Sequence, residues 1–162
     1  QPRLIKAMAA ATAEALTRCH DPSAAHVFFT AHSLPERIAG GTDPYAHEVA
    51  ATAALVAERL GLEQCDIAFQ SAGRTGDRWI GPELGAEIRR VAATGVREIV
   101  VCPVGFVADH LEVLYDIDVE ARAIAEALGP RLERARSMND DPVFIAALAD
   151  VAEAALAQPV PA

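Results

Sequence analysis

Short apolar runs that favour β-strands alternate along this chain with segments of helical periodicity, and this alternation limits the possible folds more than any other feature. The apolar runs are residues 26–31, 66–70 and 98–104, with a weaker fourth run at 132–136. The helical segments are residues 4–16, 44–60, 82–94, 109–128 and 142–157. Strands joined by helices of this length form βαβ units. The sequence therefore predicts a Rossmann-type, three-layer α/β/α fold with a four-stranded parallel sheet.

The loops that follow the predicted strands carry most of the candidate site residues. In open parallel sheets, ligands bind beyond the carboxyl ends of the strands. The first such loop begins at His32, the second runs from Ser71 to Trp79, and the third runs from Val104 to His110. We therefore expect two histidines and the only tryptophan to share one rim. A structural hydrogen-bonding role for His32 and a core position for Trp79 are the alternatives.

The segment after the third strand is unusually acidic. Its carboxylates are Asp109, Glu112, Asp116, Asp118 and Glu120, with His110 between the first two. Glu112, Asp116 and Glu120 are four residues apart, so at about 100° per residue they would line one side of a helix. Such like charges repel one another, which favours a path for a cation. Two alternatives stay open: a capping box formed by Asp109 and Glu112, and a solvated helix face.

Composition narrows the class of protein. The 162 residues fit one domain, which we place at 1–157, and 52% of them are hydrophobic. The balance of 14 basic and 23 acidic residues argues against a nucleic-acid partner. No apolar run approaches the ~20 residues that span a bilayer. The last residues, 158–162, contain two prolines and are expected to fray.

The chain ends and the cysteines give further expectations. Residue 1 is Gln rather than Met and no signal peptide follows it, so we expect a piece of a longer, cytoplasmic protein. Cys19, Cys65 and Cys102 are far apart and include no Cys-x-x-Cys pair. Reduced thiols are the default for such a set, and Cys102 is expected to be a small buried side chain.

Several motifs together resemble the ferrochelatase family. They are residues 29–35 (FTAHSLP), 43–45 (DPY), 69–71 (FQS), 79–82 (WIGP), 103–116 (PVGFVADHLEVLYD) and the 137–145 region. They span nearly the whole chain in the family's order, which makes the resemblance specific. The wording of residues 104–116 is similar to that of bacterial members that use coproporphyrin III. The resemblance implies a C-terminal chelatase domain whose N-terminal chelatase domain is absent from this chain.

The resemblance also implies a reaction in heme biosynthesis. Fe²⁺ would enter a free-base porphyrin, coproporphyrin III or protoporphyrin IX, with release of two protons. His32 and Glu112 would be the catalytic pair, facing each other across the ring centre. The same two residues would bind the metal, and Asp116 and Glu120 would continue outward as a carboxylate path.

The resemblance also implies supporting and porphyrin-binding roles for other residues. Asp109 and His110 would support the catalytic pair through hydrogen bonds. The porphyrin-binding candidates in this half are Trp79, Ser71 and Arg74. No cofactor is required, because Fe²⁺ is a substrate. No [2Fe–2S] cluster is expected, since some relatives bind one with four cysteines and this chain has three.

The expected partners are the porphyrin, Fe²⁺ and the missing N-terminal domain, with a homodimer as a further possibility. A non-catalytic half-domain that binds metal or porphyrin is the alternative function. A cobalt or nickel chelatase acting on a corrin-type ring is a third hypothesis, less favoured because those relatives usually lack the sequence of residues 110–116.

Overall fold

The computed structural model describes residues 1–39, 43–73 and 75–157. Its strands are β1 (His26–His32), β2 (Cys65–Gln70), β3 (Glu98–Cys102) and β4 (Arg131–Arg134). They form one sheet in the order β2-β1-β3-β4, and every neighbouring pair is parallel. The predicted four-stranded parallel sheet is thus confirmed. The expectations for Arg74 and for the tail at 158–162 lie outside the described residues.

Helices cover both faces of the sheet. In chain order they are α1 (Pro2–Leu16), α2 (Glu36–Ala39), α3 (Tyr45–Leu60), α4 (Leu84–Ala93), α5 (Leu111–Val113), α6 (Arg122–Leu128) and α7 (Pro142–Leu156). A π-helical segment (Leu114–Ala121) joins α5 to α6, so residues 111–128 form one continuous helix. Helices α1, α3 and α7 pack on one face, and α4 and the 111–128 helix pack on the other. The three-layer α/β/α architecture is confirmed.

Strand β1 separates two buried cores. Val27, Phe29 and Ala31 belong to the core under α1 and α3, whereas Phe28 belongs to the core under α4 and the 111–128 helix. Because successive side chains of a strand point to opposite faces, His32 points to the same side as Phe28. The alternation therefore directs the imidazole of His32 toward the helix of residues 111–128, which carries the row of carboxylates and is called the acidic helix below.

Several predicted boundaries are wrong by a few residues. β3 ends at Cys102 rather than 104, because Pro103 has no N–H to donate to a neighbouring strand. α4 begins at Leu84 rather than Pro82, because the carboxylate of Glu83 accepts the amides that open the helix. Strand β4 lies at Arg131–Arg134 rather than 132–136.

The acidic helix also differs from the predicted regular α-helix, since Leu114–Ala121 is π-helical. A π-turn uses i→i+5 hydrogen bonds and therefore takes more residues than an α-turn. Side chains four positions apart then fall short of a full turn instead of passing it. Sequence periodicity alone did not reveal this segment.

The cysteines are free, as expected. Cys19 and Cys102 are buried, and burial raises the pKa of each thiol to about 11. In the part of the chain that the structure describes, no helix is long and apolar enough to cross a membrane.

Candidate functional site

The site lies where the strand order places a crevice at the carboxyl edge of the sheet. β1 is flanked by β2 on one side and β3 on the other, so the chain leaves β1 and β3 in opposite directions. Ligands bind at such switch points. His32 is the last residue of β1, and residues 103–110 form the loop that follows β3.

Gly105 allows this loop to lie directly against the end of β1. Its N–H donates to the carbonyl oxygen of Thr30 at 3.0 Å. A Cβ at position 105 would lie 2.6 Å from the Cβ of Ala31, closer than real contacts allow. A side chain larger than hydrogen would therefore push the loop, and the acidic helix that follows it, away from His32.

His32 and Glu112 form the centre of the site. The Nε2 of His32 lies 3.9 Å from the Oε2 of Glu112. The Nδ1 of His32 pairs with the carbonyl oxygen of Ser33, and a carbonyl can only accept, so Nδ1 carries a proton. In the neutral ring this leaves the lone pair of Nε2 toward Glu112. The hydroxyl of Tyr45 donates to the carbonyl oxygen of His32 at 2.9 Å and holds the strand end in place.

This distance corrects one detail of the expected geometry. A macrocycle needs about 3.5–4.0 Å of carbon contact distance on each of its faces. The separation of 3.9 Å between His32 and Glu112 leaves no room for a ring between them. In this structure the two side chains are therefore too close together to face each other across the centre of such a ring.

The carboxylates of the acidic helix follow the sheet edge away from His32. Glu112 lies beside the end of β1, and Asp116 accepts a hydrogen bond from the hydroxyl of Ser71, just after β2. Glu120 lies farther on and lines a cavity of about 50 Å³ together with Asp116 and Gln70. The row thus runs past the ends of β1 and β2.

Asp109 and His110 do not contact the catalytic candidates in the predicted way. The helix begins at Leu111, His110 occupies the N-cap position, and no side chain caps this end. The capping box of Asp109 and Glu112 was therefore a wrong interpretation. Asp109 instead accepts from the Nδ2 of Asn139 at 2.9 Å and from Arg134 at 3.2 Å. The hydrogen bond from Asn139 is the main reason that the pKa of Asp109 is lowered.

Two residues that sequence reasoning missed hold the third loop in place. The Oδ1 of Asn139 accepts a hydrogen bond from the backbone N–H of Asp109 at 2.9 Å. The backbone N–H of Asn139 donates to the carbonyl oxygen of Val107, also at 2.9 Å. Arg134 donates through Nε to both carboxylate oxygens of Asp118, each at 3.1 Å. Asp118 is therefore paired with a cation and does not belong to the acidic row, which consists of Glu112, Asp116 and Glu120. These pairings are 16 to 32 positions apart, so no local pattern could have indicated them.

The porphyrin-binding candidates lie on the second loop. Ser71 has φ 62°, a left-handed conformation, and its hydroxyl is bonded to Asp116. Trp79 is half-buried rather than in the core, and its indole packs on Gly73, where a Cβ would lie 2.7 Å from the ring. The Nε1 of Trp79 donates to Thr75 at 3.2 Å. A β-bridge between Trp79 and Pro35 ties this loop to the one after β1.

Phe106 is a further rim residue that the sequence analysis left without a role. Its ring centroid lies 4.9 Å from that of His110 and 6.3 Å from that of His32. An aromatic side chain between two imidazoles forms a flat, apolar wall suited to a planar ligand. Its position in the loop after β3 was the available signal.

The donors are not gathered into a closed metal cage. Within residues 1–39, 43–73 and 75–157, no group of three or more His, Cys, Asp or Glu side chains could hold a metal ion. The site instead offers one imidazole and one carboxylate at its centre, with further carboxylates at successive steps.

Fold and site together define a chelatase-like α/β domain with an imidazole facing a row of carboxylates across the sheet edge. The comparisons with known proteins then name the family. The family model described as "Ferrochelatase" matches residues 1–156. The chain belongs to the ferrochelatase family.

Similar proteins occur in several bacteria. The ferrochelatase of Thermus thermophilus is 46% identical over 154 residues, which cover 95% of this chain and 49% of that protein. The ferrochelatase of Deinococcus radiodurans is 45% identical over 130 residues, covering 79% and 41%. A Bacillus cereus protein named coproporphyrin III ferrochelatase 2 is 39% identical over 152 residues, covering 93% and 48%. The chain thus spans about half the length of these relatives.

Proposed function

We propose that this chain is the C-terminal half of an enzyme that inserts Fe²⁺ into a free-base porphyrin and releases two protons. The observation that carries the proposal is the His32–Glu112 pair. An imidazole nitrogen with a free lone pair faces a carboxylate at 3.9 Å, at the inner end of a carboxylate row. This arrangement offers both proton acceptors and weak metal ligands in one place.

His32 acts as the base in this mechanism. Its Nε2 accepts a pyrrole proton, and the Ser33 carbonyl stabilises the resulting imidazolium through the Nδ1–H bond. The same hydrogen bond to Ser33 holds the ring in this orientation and prevents it from turning its protonated nitrogen toward the substrate. His32 therefore presents an acceptor whenever it is neutral.

The carboxylates bind the ion and accept the second proton. Oxygen ligands suit exchangeable hard divalent cations better than thiolates do. Fe²⁺ would move along Glu120 and Asp116 to Glu112, losing water as it approaches the macrocycle. We place His32 and Glu112 on one face of the ring, so that metal delivery and proton removal take place on the same side. Phe106 and Trp79 provide apolar surface for the ring itself.

The remaining parts of the reaction belong to a second half. The relatives extend well beyond the matched region, and a second chelatase domain would close the porphyrin cleft over the rim. A second copy of this chain is the alternative source of that surface. We propose coproporphyrin III as the substrate, as in the name of the Bacillus cereus relative, with protoporphyrin IX as the alternative. We further propose a cytoplasmic enzyme that needs no [2Fe–2S] cluster.

A binding module without catalysis is the second candidate. The observation in its favour is that this chain spans only about half the length of its relatives. Mixing this chain with porphyrin and Fe²⁺ separates the two functions. Binding without metalloporphyrin formation, by this chain and by the full-length protein alike, supports the module.

The central test is His32→Ala in the full-length protein. We expect insertion of Fe²⁺ to be abolished while circular dichroism and thermal unfolding stay unchanged, because His32 is partly exposed at the end of a strand. His47→Ala, at an exposed position of α3, is the matched control and should keep full activity. Measurable turnover by His32→Ala would refute the assignment.

The acidic row has its own test. Glu120→Gln keeps the shape of the side chain and removes its charge, so it should raise the apparent KM for Fe²⁺ more than the KM for porphyrin. An unchanged KM for iron would mean that the row is only a solvated face.

A further inference from the structure

Gln70 is buried beside the acidic row with both polar atoms of its side chain unused. It is 3% exposed, and neither its Oε1 nor its Nε2 has a hydrogen-bond partner among the residues that the structure describes. Folded proteins leave few such groups, because burying an unpaired amide is destabilising. A group of this kind at the edge of a site calls for a functional explanation.

The strand geometry shows where this amide points. Gln70 ends β2 and follows Ala68 by two positions, and Ala68 packs in the core beneath α4 and the 111–128 helix. Side chains two positions apart share a face, so Gln70 points toward the acidic helix. In the sheet it pairs with His32, whose side chain leaves the same face.

Gln70 therefore lies between the two parts of the site. It lines the small cavity that also contains Asp116 and Glu120, and it neighbours His32 across the strand pair. Glu83 lines the same cavity, but both of its carboxylate oxygens accept amides at the start of α4. The polar groups left to meet a ligand there are the carboxylate of Glu120, the carboxylate of Asp116 with the Ser71 hydroxyl bonded to it, and the unpaired amide of Gln70.

We propose that Gln70 is a ligand of the incoming substrate cation, which its Oε1 binds between Asp116 and Glu120. This proposal rests on the proposed function and adds a residue to it. An amide oxygen is a hard neutral donor that binds a divalent cation without adding charge. It lets the ion leave the carboxylates and move on toward His32. The unpaired state of the amide is the cost of keeping that donor available.

Removing the amide of Gln70 should raise the stability of the protein and weaken its binding of Fe²⁺. Gln70→Met keeps the length of the side chain and removes both unpaired polar atoms. In the absence of metal the variant should unfold at a higher temperature, by about 2–4 °C. Its Kd for Fe²⁺ should rise about tenfold, a typical loss for a group that supports a metal site. A residue that only fills the core would show the first effect without the second.

Thr30→Val is the matched control. The hydroxyl of Thr30 is also buried and without a partner among the described residues, but Thr30 does not line the cavity. Its replacement should raise the unfolding temperature and leave the Kd for Fe²⁺ unchanged. Comparing the two variants separates relief of a buried polar group from loss of a ligand.

The experiment measures thermal unfolding of the full-length protein across an anaerobic titration with Fe²⁺ alone, for the wild type, Gln70→Met, Thr30→Val and Glu120→Gln. A weaker Fe²⁺ response in Gln70→Met and Glu120→Gln, but not in Thr30→Val, supports the proposal. A normal response in Gln70→Met overturns it while leaving the acidic row intact, and so does a wild type without any Fe²⁺ response. Loss of the proposed function would instead appear as Fe²⁺ binding without insertion into porphyrin.

Discussion

Gly105→Ala tests the idea that close contact between the third loop and β1 sets the geometry of the site. The added Cβ would lie 2.6 Å from the Cβ of Ala31 and 2.8 Å from its Cα, whereas ordinary contact begins at 3.4 Å. The loop must then retreat by about 0.8 Å, the difference between 3.4 Å and 2.6 Å. Overpacking of this kind costs about 1–3 kcal/mol. In a domain of this size, each kcal/mol lowers the Tm by about 2–4 °C.

The same displacement should reduce activity more than stability. Glu112 follows Gly105 by seven positions and faces His32 at 3.9 Å, so the retreat changes the separation of the pair. A misplacement of about 1 Å can lower a rate by about 100-fold. We therefore expect kcat of the full-length protein for Fe²⁺ insertion to fall by one to two orders of magnitude, about 10- to 100-fold.

Two variants make this prediction refutable. Gly76→Ala adds the same methyl group at a rim position with no atom within 4 Å, so it should change neither Tm nor kcat. Ala31→Gly in the Gly105→Ala background removes the closest atom and should restore part of the activity. A Gly105→Ala protein with normal Tm and kcat would show that the close contact has no role in positioning Glu112.

The remaining predictions concern the anchoring and the pH response of the fold. Burial lowers the pKa of His26 below its usual value near 6.5, so the unfolded chain binds the proton more tightly. Its stabilising contribution is present above about pH 6.5 and is lost as the pH falls toward the folded pKa, by at most about 1.4 kcal/mol per pH unit. Chemical unfolding across pH 5–8 should therefore show a flatter profile for His26→Gln, and equal profiles would contradict the argument. Asn139→Gly should raise the pKa of Asp109 toward its ordinary value in an NMR titration and cost about 1 kcal/mol. Asn139→Ala should be less stable than Asn139→Gly, because φ is 47° at this position.

The architecture was predictable because its signals are local. The apolar runs at β1 and β2 were placed within one residue, since a strand buried on both faces has few polar residues to blur its limits. The ends of α3 and α7 likewise follow from Gly61, which is left-handed, and from the Asp141 cap. The rule for strand ends placed His32 and His110 on one rim, whereas the pairing of His32 with Glu112 came from the resemblance to the ferrochelatase family.

What sequence reasoning missed depends on contacts between distant parts of the chain. Asp109 matches a capping box in isolation, but its carboxylate accepts from Arg134 at the end of β4 and from Asn139 in the segment that follows. The π-segment within the acidic helix also had no local signature. In the sequence Gln70 is an ordinary strand end, and only the pairing of β1 with β2 shows that it lies next to His32.

The alternation of β1 between the two cores has a consequence for length changes in this strand. Deleting one residue between His26 and His32 would move every later side chain of the strand to the opposite face of the sheet. The imidazole would then turn toward α1 and α3, and Ala31 would take its place beside the acidic helix. Substitutions within β1 change the packing gradually. A single deletion would leave the sheet apolar on both sides and still move the His32 imidazole to the opposite side of the protein. The strand thus fixes the side of the sheet on which the imidazole meets the carboxylates.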